Sequence, residues 1–87
     1  MEISNFFNKL AADWDTICEH DPKKIECLLT MCGNLENKRI LDVGCGTGIL
    51  EGFLGKIPGV SVLGIDISER MIEIAVKKYN SENIRFL

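Results

Sequence analysis

The eight residues Leu-Asp-Val-Gly-Cys-Gly-Thr-Gly at positions 41–48 decide the predicted fold of this 87-residue chain. The segment at 39–43 is short and largely apolar, and glycines follow it at three alternate positions. Residues 49–56 are again largely apolar and end just before Pro58 and Gly59. This order predicts a buried strand that enters a tight glycine loop and continues into a helix.

The chain downstream of this unit continues the alternation of strands and helices. Residues 60–65 are largely β-branched and apolar, and they predict a second buried strand that ends at Asp66. Ser68 is suited to cap the helix that follows, and residues 84–87 begin a third strand.

Two amphipathic helices are predicted upstream of the first strand. Ser4 is a candidate N-cap for the first helix. Asp21 caps the second helix, with Pro22 in its first turn and Gly33 after its last turn. The whole pattern predicts one α/β domain over residues 1–87, a partial Rossmann-like parallel sheet of about three strands in the order 3-2-1 with two N-terminal helices.

Composition and charge narrow the functional classes. The chain is 46% hydrophobic and 26% charged, with a net charge of −3, so charge gives no support for a nucleic-acid partner. No apolar run approaches the roughly 18 residues that span a bilayer, and the N-terminus lacks a signal peptide, so we expect no membrane association and a cytoplasmic location.

Cysteine and histidine do not form a metal-binding pattern. The four cysteines, Cys18, Cys27, Cys32 and Cys45, include no Cys-x-x-Cys spacing. We therefore predict free thiols and no metal site. His20 precedes Asp21 and hints at acid–base chemistry, but a solvated residue before a capped helix is the favoured interpretation.

The glycine loop is the candidate binding site. Gly44, Gly46 and Gly48 suit a sharp turn whose backbone N–H groups approach a ligand closely, and the next helix would favour an anionic group there. Asp66 follows eighteen residues after Gly48, at the predicted carboxyl end of the second strand. In a doubly wound sheet such an acid lies beside the loop and accepts hydrogen bonds from a ribose diol. These features indicate a cofactor that contains adenosine.

Glycine spacing argues against two other nucleotide motifs. A dinucleotide-binding Gly-x-Gly-x-x-Gly would need glycine at Ile49 or at Glu51. A P-loop would need Ser or Thr after Lys56, where this chain has Ile57. An NAD-linked oxidoreductase is therefore a distant alternative.

The motif resembles that of the class I, seven-stranded S-adenosylmethionine-dependent methyltransferases. Their first motif is an acid followed by Gly-x-Gly-x-Gly, matched here by Asp42 and the three loop glycines. Their second is an acid at the end of strand two, matched by Asp66 in Gly-Ile-Asp-Ile-Ser at 64–68, and Met71 also fits the family pattern. The segment at 6–15 resembles an N-terminal helix of small-molecule members, which often packs over the cofactor.

The resemblance implies S-adenosylmethionine as the cofactor and assigns roles to matching residues. Gly44 and Gly46 would line its methionine and ribose portion, Asp42 would bind the amino group or the loop, Asp66 would hold the ribose hydroxyls, and Ile67 would lie against the adenine. The cofactor-binding residues predicted in this way are Asp42, Gly44, Cys45, Gly46, Gly48, Asp66 and Ile67. No catalytic residue is predicted.

For several of these residues, a purely structural role remains an alternative to cofactor binding. Asp42 is alternatively a loop stabiliser, Ile67 a core residue, and Asp66 a capping or surface acid. For Phe7 and Trp14 the core is favoured over contact with the cofactor.

The family domain continues beyond the point where this sequence stops, so we expect the chain to be the N-terminal, cofactor-binding half of such a domain. We expect it to be inactive alone, with a small-molecule methyl acceptor bound only in the complete protein. The unpaired edge of the strand at 39–43 suggests a homodimer or swapped assembly. The alternative function is a non-catalytic nucleoside-binding or dimerisation module.

Overall fold

The computed structural model describes residues 2–17, 21–79 and 81–87. Cys18 and His20, for which a free thiol and a solvated side chain are predicted, lie outside the described residues. The elements, in chain order, are α1 (Glu2–Leu10), a 3₁₀ turn (Ala11–Asp13), α2 (Trp14–Ile17), α3 (Pro22–Met31), β1 (Arg39–Val43), α4 (Ile49–Leu54), β2 (Ser61–Ile65), α5 (Glu69–Lys78) and β3 (Ile84–Phe86).

The three strands form one parallel sheet in the order β1-β2-β3, which confirms the predicted α/β class and strand order. Val43 is aligned with Ile65, and Asp42 with Gly64. Gly64 is aligned in turn with Phe86. The carboxyl ends of β1 and β2 therefore meet at one edge of the sheet, where the glycine loop leaves β1 and Asp66 leaves β2.

The N-terminal segment differs from the single helix that the sequence predicts. Helical structure begins at Glu2, so Ser4 lies inside α1 and is not its N-cap. The helix then tightens at Ala11–Asp13 before α2 begins, and Ala11 is buried in this turn, which packs with α1 against α5. A continuous helix is replaced by three short pieces that follow the surface of α5.

Two predicted helix caps are confirmed. Asp21 accepts a hydrogen bond from the Lys23 N–H at 3.0 Å at the start of α3. Ser68 accepts one from the Met71 N–H at 3.2 Å at the start of α5. Each side chain satisfies a backbone donor that has no partner within its helix.

The core lies on one face of the sheet. Its buried residues are Leu54 from α4, Val60, Val62 and Ile84. On the opposite face the side chains of β1 stay exposed, so the prediction of a fully buried first strand is wrong. The reason is the alternation of side chains along a strand: Ile40 and Asp42 face the helices with Val62, while the intervening residues face away. Those intervening residues are Leu41, 59% exposed, and Val43, 72% exposed.

Neither a membrane-spanning helix nor a metal-binding cluster occurs within residues 2–17, 21–79 and 81–87. Within them no helix has the length and apolar character needed to cross a bilayer. The same ranges contain no group of three or more His, Cys, Asp or Glu side chains placed to hold a metal ion. Cys27 and Cys32 are exposed free thiols, and Cys45 is a buried one.

Candidate cofactor site

A cavity of about 730 Å3 opens at the carboxyl ends of β1 and β2. It brings together six of the seven residues predicted to bind cofactor; the exception is Gly48, which is buried behind the cavity wall. A Cβ atom at Gly48 would lie 3.1 Å from both Phe86 and Tyr79. The residues that line the cavity are Phe7, Trp14, Ile25, Asp42, Val43, Gly44, Cys45, Gly46, Thr47, Ile49, Leu50, Ile65, Asp66, Ile67 and Met71.

The loop requires glycine, as the sequence predicts. Gly44, Gly46 and Gly48 have φ values of +74°, +59° and +83°. L-residues with a Cβ rarely adopt this left-handed conformation. At Gly48 a side chain would also meet two aromatic rings, so both backbone angle and space exclude it.

Three N–H groups of the loop already have acceptors within the fold, which differs from the prediction that they approach a ligand. Gly44 and Cys45 both donate to the Ile65 carbonyl, at 2.8 and 2.9 Å, and Gly46 donates to Oδ2 of Asp66 at 2.9 Å. Ile65 and Asp66 accept these hydrogen bonds, because the end of β2 lies directly beside the loop. The helix that follows has only six residues. The N–H groups of Gly44, Cys45 and Gly46 are therefore not available to the predicted anionic group.

Asp66 joins the loop to the start of α5. Its Oδ1 accepts a hydrogen bond from the Ser68 N–H at 2.8 Å, and its Oδ2 accepts the bond from Gly46. A carboxylate offers about four lone-pair positions, so about two stay available on this half-buried side chain. Asp66 therefore has a structural role and retains the capacity to bind hydroxyl groups in the cavity.

The charge of the cavity is negative. Among the described residues that line it, the charged ones are Asp42 and Asp66, and most of the others are apolar. Burial raises the pKa of the Cys45 thiol to about 12, and the negative charges of Glu51, Asp42 and Asp66 add to the rise, so this thiol is neutral at pH 7. An apolar cavity with two acids favours a ligand that has a positive group and disfavours a pyrophosphate.

Two open alternatives are decided by the geometry. Ile67 is 57% exposed at the cavity, so its interpretation as a core residue is wrong. Asp42 is not the acid that stabilises the loop, because the loop amides bond to Ile65 and Asp66.

The N-terminal segment forms part of the cavity wall. The sequence favoured a core position for its aromatic residues instead. Phe7 and Trp14 both line the cavity, with their rings edge to face and centroids 5.9 Å apart. Trp14 Nε1 lies 3.6 Å from the position that a Cβ of Gly46 would occupy. The core placement favoured for the two aromatic residues is therefore wrong.

Two polar side chains attach this segment to the rest of the domain. Asp15 accepts hydrogen bonds from the buried Thr47 hydroxyl at 2.5 Å and from Lys78 Nζ at 2.7 Å. Asn8 Oδ1 accepts from the Ser68 hydroxyl at 2.5 Å and from the Arg70 N–H at 3.2 Å.

These anchors join residues 32 to 63 positions apart in the chain. No local sequence pattern identifies such partners. The fold therefore holds an N-terminal wall over the glycine loop.

The geometry agrees with what comparison with known proteins finds. Residues 40–87 match the family described as methyltransferase domain. The chain belongs to this family, and the class I resemblance of its sequence motifs is confirmed.

Individual relatives cover most of this chain. A ubiquinone biosynthesis O-methyltransferase of Bordetella avium is 35% identical over 80 residues, which are 85% of this chain and 33% of the relative. A malonyl-[acyl-carrier protein] O-methyltransferase of Acetivibrio thermocellus is 37% identical over 84 residues, 92% of this chain and 29% of the relative. The chain thus spans about a third of the length of these curated relatives.

A solved structure shares the fold. The methyltransferase of Geobacter sulfurreducens, in complex with S-adenosyl-L-homocysteine, superposes with a TM-score of 0.74 at 19% identity. The match covers 92% of this chain and 34% of that protein.

Proposed function

We propose that this chain forms the S-adenosylmethionine-binding part of a methyltransferase and that the cavity at the ends of β1 and β2 holds the cofactor. The observation that supports this proposal is the acidic, otherwise apolar cavity beside the glycine loop. S-adenosylmethionine supplies an activated methyl group on a positively charged sulfonium, and its amino group is also positive. Two carboxylates without a lining cation suit such a ligand better than a dinucleotide.

The proposed roles follow the position of each side chain. Asp66 accepts hydrogen bonds from the ribose hydroxyls with the lone pairs that Gly46 and Ser68 leave available. Asp42 faces the positive amino group. Ile67 covers the adenine, and its exposed position at the cavity suits that contact.

Titration calorimetry with S-adenosylhomocysteine tests the proposal directly. We expect binding by the wild-type chain and no binding of NAD. Asp66→Asn should weaken binding about ten- to a hundredfold, because hydrogen bonds to a charged group contribute about 1.5–3 kcal/mol. Glu36→Gln, at an exposed position away from the cavity, serves as the control. Absence of binding by the wild-type chain would refute the proposal.

The methyl acceptor is proposed to be a small molecule that the complete protein binds. The relatives above are named for different acceptors, and the acidic sequence pI of about 5.0 disfavours nucleic acid. Methyl transfer requires an acceptor held in line with the methyl group. The cavity residues described here have roles toward the cofactor, so we propose that the chain alone does not transfer methyl groups. Transfer from labelled S-adenosylmethionine to any small-molecule acceptor by this chain would contradict that proposal.

We also propose that two copies associate through β1, as a homodimer or a swapped assembly. β1 pairs only with β2 among the described strands, and the exposed Leu41 and Val43 make its outer face apolar. Light scattering should give a dimer mass, and Leu41→Lys should shift it to the monomer. Leu28→Lys, at an exposed leucine of α3, should leave the dimer intact. A monomer at high concentration would favour a cofactor-binding role without dimerisation.

A cytoplasmic location is proposed as well. Cys27 and Cys32 are exposed free thiols, the state that a reducing compartment maintains. Fractionation of cells that produce the chain would test this, and recovery in an oxidising compartment would contradict it.

A further inference from the structure

Glu51 is a buried acid that the proposed function does not yet use. Its side chain is 0% exposed on α4, and neither carboxyl oxygen accepts a hydrogen bond from a donor group among the described residues. Glu51 lies behind the cavity wall and does not line the cavity. Burial of an ionised carboxylate without a partner is strongly unfavourable, so the protonation of this group requires an explanation.

The carboxyl group of Glu51 occupies the space left by the missing side chain of Gly64. A Cβ atom on Gly64 would lie only 2.6 Å from Oε1 of Glu51. Gly64 is aligned with Asp42 on the neighbouring strand, and both residues face the helices. Glu51 and Asp42 are therefore neighbours on the helix-covered face of the sheet, where their carboxyl groups interact; Glu51 is enclosed and Asp42 lines the cavity.

Two adjacent carboxyl groups form a hydrogen bond only when one of them holds a proton. Ionised carboxylates are acceptors, whereas a protonated carboxyl is also a donor. Burial, followed by the hydrogen bond and the negative charge of Asp42, raises the pKa of Glu51 to about 8. The proton of the pair therefore belongs to Glu51 at pH 7.

The other groups around this pair do not replace the proton. Cys45 adjoins the same space through its Cβ atom, and its thiol is neutral because its pKa is about 12. Gly64 from β2 and Phe86 from β3 adjoin the same space and have no charge. Among the described residues, Asp42 is the one whose side chain shifts the pKa of Glu51.

We propose that Glu51 is a positioning residue, whose protonated carboxyl donates a hydrogen bond to Asp42 and holds that carboxylate toward the positive amino group of the cofactor. This inference rests on the proposed function of the cavity. It adds a residue that contacts no ligand and acts through Asp42.

A pair of variants separates positioning from packing. Glu51→Gln keeps a donor for Asp42, so its affinity for S-adenosylhomocysteine at pH 7 should stay within about twofold of the wild type. Glu51→Met fills the same space without a donor, and its affinity should fall about tenfold. The thermal midpoint of Glu51→Met should not fall, because an apolar replacement removes the burial cost of the acid. Glu36→Gln is the surface control.

Each result has a definite meaning. Glu51→Met that binds as tightly as the wild type, or Glu51→Gln that binds as weakly as Glu51→Met, overturns the positioning role while the proposed function stands. A wild-type chain that does not bind refutes the proposed function itself. Carbon-13 NMR of the carboxyl groups in the unliganded chain tests the proton pair separately. We expect Glu51 to titrate near pH 8, and titration near its ordinary 4.5 would overturn the pair.

Discussion

The proton on Glu51 makes the stability of the fold depend on pH, and Glu51→Gln should remove that dependence. The ordinary pKa of a glutamate is 4.5, and in the folded chain it is raised to about 8. Between these values the folded state holds a proton that the unfolded chain has released. Raising the pH across this interval therefore favours unfolding, and the effect is complete above pH 8.

The size of the effect follows from the displacement of the pKa. Each pKa unit corresponds to about 1.4 kcal/mol, so the rise of Glu51 corresponds to about 4–5 kcal/mol of unfolding free energy between pH 4.5 and 8. Single domains have a total stability of roughly 5–15 kcal/mol, and short chains lie near the lower end. The loss is therefore a large fraction of the unfolding free energy of the domain.

Urea unfolding at several pH values from 5 to 9 measures this effect. Wild type and Glu51→Gln should differ least in unfolding free energy at pH 5, where both side chains are neutral in the folded chain and the pH is close to the ordinary pKa of a glutamate. At pH 8 and above the variant should be more stable by several kcal/mol, while Glu36→Gln should follow the wild type. Parallel curves for wild type and Glu51→Gln over this range would refute the reasoning, since Glu51 would then have an ordinary pKa in the fold.

Two further predictions concern packing and the N-terminal wall. Gly64→Ala should destabilise the domain by about 1–3 kcal/mol in urea unfolding, because the added Cβ meets Glu51 at 2.6 Å. Combining it with Glu51→Ala should reduce that loss. An unchanged unfolding midpoint for Gly64→Ala would contradict this contact. Thr47→Val removes the hydroxyl that donates to Asp15, so amide hydrogen exchange in the N-terminal helices should accelerate, whereas Thr30→Val, whose hydroxyl bonds within α3, should leave it unchanged. Equal exchange in both threonine variants would show that the Asp15 anchor does not hold the segment.

Much of the fold could be predicted because its signals are local. Asp21 and Ser68 cap their helices through backbone N–H groups only two or three residues ahead. Short apolar segments that alternate with helices predicted the parallel order of the strands, since right-handed crossovers leave few other arrangements. The prediction that Ser4 caps the first helix is wrong, because the residue type alone does not show that helical structure already begins at Glu2.

The candidate site could be predicted in composition and only partly in its contacts. Asp42, Gly44, Gly46 and Asp66 line one cavity, as their spacing in the sequence predicts, whereas Gly48 lies behind its wall. It did not indicate that the loop amides are already bonded to Ile65 and Asp66, because that depends on how closely β2 approaches the loop. For the same reason Trp14 could not be assigned to the cavity wall, since its position depends on anchors far away in the chain.

The sequence by itself determined the glycine loop at 41–48, its position between a strand and a helix, and the acid that follows the next strand. These features depend on backbone angles and on residues close together in the chain, so composition and spacing are sufficient to specify them. Tertiary structure alone decided that the strands are covered on one face and that Asp15 reaches Thr47. It also decided that Glu51 lies in the space above Gly64 beside Asp42. Burial and proton sharing arise only when distant segments pack together, because the surroundings of a side chain determine its charge state.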